Sequence, residues 1–169
     1  MAVKELLLLG NPKLYEKSEY VKSEELSEIK SVVEDLHDTL MDFRAKYGIG
    51  RAISAPQIGV MKRLIYMHTD RPIVIINPEL TFRHNGTMEV WDDCMSFPDL
   101  LVKVMRHKSC HVEFRDLNWK KYFMVLEGSQ SELLQHELDH LNGILAISRA
   151  INSQAFRLRA EILKEESTA

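Results

Sequence analysis

Over residues 23–47 the apolar side chains recur at steps of three and four: Ile29, Val32, Val33, Leu36, Leu40 and Phe43 fall on one face. Glu24 and Glu25 stand near the start, where a helix dipole favours negative charge, and Gly48 follows the end. This spacing predicts an amphipathic helix. From Gly48 to Gly128 the pattern changes to short apolar runs over residues 63–67, 73–76, 101–105, 111–114 and 122–126, punctuated by Pro, Gly, Asn and Asp. These predict strands in a mainly antiparallel arrangement, with Asp116-Leu117-Asn118 as a hairpin connection. Helical spacing returns at Ser129, where Ser129 and Glu132 have the form of a capping box, and Asn142-Gly143 supplies a stop. A last helix is predicted over residues 153–166, with Ile151, Ala155, Leu158 and Ile162 on one side. Central, mainly antiparallel strands with an N-terminal helix, a second helix late in the chain and a C-terminal helix describe an α+β fold.

The 169 residues, 45% of them hydrophobic, suffice for one sizeable core. No repeat, low-complexity tract or Gly/Ser linker divides them, so residues 1–169 are expected to form a single domain. With 22 basic against 25 acidic residues and a net charge of -3, there is no broad positive field for gripping phosphate backbones, and no nucleic-acid site is expected. Cys94 and Cys110 are too few for a secreted disulfide framework and are read as free or metal-bound thiols of a reducing compartment. The run from Leu6 to Leu9 is far too short for a membrane span and ends at Gly10-Asn11-Pro12. A soluble protein of the cytoplasm is expected, or of an organelle interior if a transit peptide has been removed. The eight methionines are read as core filler and pocket lining.

The chemistry concentrates in the second helix, which contains His136-Glu137-Leu138-Asp139-His140. At about 100° per residue the two imidazoles lie roughly 40° apart on one face, with Glu137 toward the same side and Leu134, Leu138 and Leu141 in a separate stripe. Two neutral imidazoles one turn apart can chelate a divalent ion, and a neighbouring carboxylate can take a proton from activated water without being a ligand. Asp139 projects away from the histidines and is read as orienting another group or as solvated. A catalytic site of this kind needs a third protein ligand. Candidates are Cys94, Cys110, His107, His111 and several carboxylates. Cys110, at the start of a strand, reads better as a small buried hydrophobe, and the polar, turn-like setting of Cys94 suits an exposed ligand better.

Three segments, in this order, resemble the peptide deformylase family: Gly50-Arg51-Ala52-Ile53-Ser54-Ala55-Pro56-Gln57-Ile58-Gly59, Asp92-Asp93-Cys94-Met95-Ser96, and Gln135-His136-Glu137-Leu138-Asp139-His140-Leu141-Asn142-Gly143. The third matches almost completely, and the second supplies a cysteine 42 residues before His136. The resemblance implies Cys94, His136 and His140 as ligands of one divalent metal. Ferrous iron is the ion it favours, with nickel, cobalt or zinc able to substitute. A thiolate ligand suits such late first-row metals better than magnesium or calcium. The implied reaction removes the formyl group from formyl-methionine at the N-terminus of nascent polypeptides. Activated water attacks the formyl carbon, Glu137 accepts its proton and later delivers it to the departing amine, and Gln57 with the Met95 N–H meets the negative oxygen. Formyl-methionyl chains would be the partners, with ribosome proximity following from that substrate.

The chain departs from the family pattern around the substrate. Asp92 and Asp93 stand in place of Glu-Gly before the cysteine, Arg51 takes a usually apolar place, and Ala52 replaces a glycine in the gap-free alignment. Aligning Gly48-Ile49-Gly50 with the family glycines restores both at the expense of a two-residue insertion before Ser54. In either alignment the strand expected to hold the peptide is altered, so Arg51, Ala52, Ile53 and Asp93 are the candidate substrate contacts. Three other readings compete: a divergent relative acting on another N-acylated substrate, a non-catalytic metal-binding relative, and a zinc endopeptidase. Retention of Glu137 and Gln57 argues against the second, and the short chain with a cysteine ligand suits the third poorly.

Overall fold

The computed structural model describes residues 2–168. Helix α1, Leu26–Tyr47, buries Ile29, Val33, Leu36, Leu40 and Phe43 on one face, following the sequence periodicity. It ends where the sequence places its stop. Gly48 adopts φ +70 and its N–H donates to the Arg44 carbonyl at 2.8 Å.

Eight strands follow, all paired antiparallel. They are β1 (Ala52–Ser54), β2 (Leu64–His68), β3 (Pro72–Thr81), β4 (Thr87–Asp92), β5 (Leu100–His107), β6 (Ser109–Arg115), β7 (Lys121–Glu127) and β8 (Phe156–Leu158). One sheet has the order β1-β2-β3-β6-β7 and the other β4-β5-β8. The β6–β7 hairpin closes over Asp116, whose carboxylate accepts from the N–H groups of Asn118 and Lys120, both at 2.9 Å.

Helix α2, Gly128–Leu141, packs against β1, β2, β6 and β7 of the larger sheet and β5 of the smaller one. Because it contacts both sheets, α2 is buried nearly throughout, and its polar residues must be satisfied inside the protein. Its C-terminus abuts the N-terminal segment. Gly143, at φ +71, passes so close to the Tyr15 carbonyl that any Cβ there would collide with it.

Two expectations are corrected. The capping box does not form: α2 begins at Gly128 without a side-chain cap, and the Glu132 carboxylate instead binds Arg51 at 2.5 Å. The C-terminal helix is shorter than its periodicity predicts. Residues 156–158 form β8, pairing Leu100↔Leu158 and Val102↔Phe156 beside β5, and α3 spans only Arg159–Thr168 with no buried residue. Pairing with an otherwise free sheet edge outweighs the helical spacing of Ala155, Leu158 and Ile162, of which only Ala155 is buried. The apolar runs also give no sign of β4, which alternates between exposed and half-buried positions, or of β1, which is three residues long and is expected only through the family resemblance, as the strand that holds the peptide.

Candidate metal centre

Three side chains from two elements converge at one point. Helix α2 carries His136 and His140 one turn apart, and the turn after β4 carries Cys94. The Nε2 atoms of the two imidazoles face each other at 3.1 Å, and Cys94 Sγ lies 3.3 Å from His140 Nε2. The three donor atoms all lie within 4.8 Å of one another. Bonds of ~2.1 Å at tetrahedral angles place two ligand nitrogens ~3.4 Å apart, so this donor set fits a single cation after only slight spreading. Cys94 is buried, contrary to the expected exposed ligand, because its turn packs against Val102, Val104 and Ala146. Cys110, also buried, sits in a separate apolar cluster with Val112 and Leu134, as its strand position suggested.

The charges around the histidines favour a cation. Asp92 accepts a hydrogen bond from His136 Nδ1–H at 3.0 Å, which leaves the Nε2 lone pair of His136 directed at the other two donors. Burial opposes ionisation of Asp92, but His136 and Arg106 outweigh it and hold the carboxyl at a pKa of about 2. Burial likewise opposes a charge on His136, yet the Asp92 carboxylate and the Cys94 sulfur push its pKa well above the usual histidine value. The negative surroundings that favour a proton on His136 equally favour a metal ion in its place. His140 is held neutral by burial and by the neighbouring His136.

Behind these ligands runs a buried chain of charges. Arg106 donates to Asp92 at 2.8 Å and to Asp139 at 2.6 Å, and Asp139 also receives two hydrogen bonds from Arg149, at 2.6 and 2.8 Å. Asp139 is therefore an orienting group and not a solvated one. Arg106, Arg149 and the pairing role of Asp92 were missed. The signal for Arg106 was its place in β5 at the alternating inward positions of Val102 and Val104, where a charge must find partners.

The centre opens on a cleft of about 440 Å³ lined by residues including Arg51, Ala52, Gln57, Asp93, Met95 and Glu137. Glu137 is buried, and its Oε2 has no hydrogen-bond partner among the described residues. Burial, reinforced by Asp92 and Glu132 against the pull of His136 and Arg51, raises its pKa to about 7, the range in which a carboxylate both takes and returns protons near neutrality. Gln57 is fixed in orientation. Its Oε1 accepts from Ser54 N–H at 3.0 Å, so its Nε2 must face Ser96 Oγ at 3.2 Å and Cys94 Sγ at 3.6 Å. The turn at Cys94 is closed by the N–H groups of Phe97 and Ser96, at 3.0 and 3.4 Å, and not by that of Met95.

Of the four expected substrate contacts, Arg51, Ala52 and Asp93 line the cleft, and Asp93 is tied to Arg159 at 2.9 Å. Ile53 does not. Its side chain is wholly buried in the core beside Leu40, Leu64 and Tyr66, because the alternation of β1 turns it inward, so any contact it makes with a substrate is through its main chain.

Comparison with known proteins points to one family. The family model described as polypeptide deformylase matches residues 3–156. The chain is 31% identical to a peptide deformylase of Leptospira biflexa over 96% of both chains, and 35% identical to peptide deformylase 1 of Prochlorococcus marinus over 96% of this chain and 88% of that one. Among solved structures, the peptide deformylase from Thermotoga maritima superposes with a TM-score of 0.82 at 28% identity, covering 90% of this chain and all of that one.

Proposed function

The chain belongs to the polypeptide deformylase family, a family of metal-dependent hydrolases that release the N-formyl group of nascent polypeptides, and from this premise we propose the role of each residue in the site. Cys94, His136 and His140 hold one divalent cation. Ferrous iron is the ion proposed, with nickel, cobalt or zinc as substitutes, since a thiolate beside two imidazoles matches late first-row metals. Such an ion, when bound, lowers the pKa of water and polarises a carbonyl.

The protein's own groups carry the remaining steps. The Glu137 carboxylate, buried beside the ligands with its Oε2 unpartnered, takes the proton of the attacking water and returns it to the amine as the formyl carbon–nitrogen bond breaks. Gln57 Nε2, held in place by Ser54, and the Met95 N–H donate to the oxygen on which negative charge develops. The peptide adds along the free edge of β1, the terminal strand of the larger sheet, with Ala52 beside it. Among the described residues no helix is long and apolar enough to cross a membrane. Action in the cytoplasm, near the ribosomes from which formylated chains emerge, follows as part of this proposal.

The observation that carries the reading is the meeting of a sulfur and two imidazole nitrogens beside a buried, unpartnered carboxylate. Anaerobic loading with ferrous iron, followed by measurement of formate released from formyl-Met-Ala-Ser, tests it. Turnover that depends on the bound metal is expected. A fully metallated sample that releases no formate would refute it.

A further inference from the structure

One ion pair in the cleft is not used by this mechanism. Arg51, immediately before β1, and Glu132, on α2, meet at 2.5 Å across the cleft wall, and both line it. Arg51 also donates to the Ser129 carbonyl at 3.1 Å. Glu132 is buried, with its side chain 11% exposed against 41% for Arg51, so the pair has a solvent side and a side within the protein.

Its position is set by helix geometry. Glu132 precedes His136 by one turn on the same face, ~6 Å along the axis. Arg51 adjoins Ala52 on the strand whose free edge receives the peptide. A formyl group at the metal centre, on a peptide lying along β1, therefore directs its first side chain toward the gap between β1 and α2 that this pair bridges.

Resting on the deformylase reading above, we infer that the Arg51–Glu132 pair selects the first side chain of the formylated peptide, relaxing the preference for methionine in favour of a polar side chain of similar length. The physical reason is desolvation. A thioether laid against the pair strips water from two charges and returns no hydrogen bond. A glutamine side chain occupies nearly the same length, can donate to Glu132 and can accept from Arg51. Leu133, also in the lining, supplies an apolar surface for the stem of either side chain.

The experiment compares formyl-Met-Ala-Ser with formyl-Gln-Ala-Ser on the iron-loaded protein and on the double variant Arg51→Leu/Glu132→Leu, which removes both charges together. In the wild type the Met/Gln ratio of kcat/KM is expected to stay below ~10, and the double variant should raise it by at least ~10-fold, the scale of one mismatched contact in a specificity pocket. A pair that only ties β1 to α2 would lower both rates and leave the ratio where it was, which would overturn the inference. Binding of the products Met-Ala-Ser and Gln-Ala-Ser to the wild type, measured by calorimetry, needs neither turnover nor a folded variant. Dissociation constants within ~10-fold of each other support the inference, and a larger preference for Met-Ala-Ser overturns it. Failure of the deformylase reading looks different, since neither formylated peptide would then yield formate.

Discussion

An oxygen of the Asp92 carboxylate lies 3.0 Å from Nδ1 of His136, and the same oxygen receives Arg106 at 2.8 Å. Asp92 thereby fixes the tautomer of one proposed ligand and raises the electron density it can donate. Asp92→Asn keeps the shape and removes the charge. Metal affinity is expected to fall about 10- to 100-fold, the usual effect of losing such a partner, as read by competition with a chelating dye. Undiminished affinity in Asp92→Asn would show that the contact orients nothing.

Gln57 presents its amide N–H groups to the site because Ser54 N–H occupies its oxygen. Gln57→Leu fills similar space without a donor. Loss of a preorganised donor to a developing oxyanion typically costs roughly 10²- to 10³-fold in kcat. The expected signature is that drop in kcat with KM for formyl-Met-Ala-Ser changed by only a small factor. An equal loss spread over KM would assign Gln57 to ground-state binding instead.

Arg106 is 3% exposed and bridges two carboxylates, Asp92 and Asp139, whereas Arg149, which also binds Asp139, is 43% exposed. Removing a buried partner strands charge in the interior, so Arg106→Met should lower the stability of the metal-free protein by about 3–5 kcal/mol. Arg149→Ala meets solvent screening and should cost only about 0–1 kcal/mol. Urea denaturation of the two variants separates these outcomes. Similar midpoints would mean that the two arginines hold Asp139 to the same degree.

The elements most legible in the sequence are those whose burial is decided locally. Helix α1 has one apolar stripe and a glycine stop, and α2 carries a near-complete motif, so both were readable along with the five strands that have strong apolar runs. What escaped depends on contacts distant in sequence. Strand β8 exists because β5 offers it an edge, although Leu158 and Ile162 keep helical spacing. Glu132 matches a capping box, yet Arg51, 81 residues away, is the partner it takes. Asp92 stood out only as a departure from a family pattern, because its role requires knowing that His136 and Arg106 meet there.

Glu137 sets stability against activity. In the unfolded chain its carboxyl ionises near 4.5, and in the fold near 7, because burial, Asp92 and Glu132 outweigh His136 and Arg51. The folded state thus binds this proton more tightly than the unfolded state, and the metal-free protein loses stability as the pH climbs from 4.5 to 7, with the full cost present above 7. At ~1.4 kcal/mol per pKa unit the cost amounts to about 3 kcal/mol. Glutamine does not ionise, so metal-free Glu137→Gln should match the wild type at about pH 4 and exceed it by about 3 kcal/mol at about pH 8. The same variant, metal-loaded, should lose formate release by roughly 10²- to 10⁴-fold, the contribution expected of a proton relay. Denaturation curves at the two pH values, together with the formate assay, test both halves. A variant no more stable than the wild type at the higher pH would mean that Glu137 is not the strained group its burial implies, and a variant that still turns over would move the proton transfer to another residue.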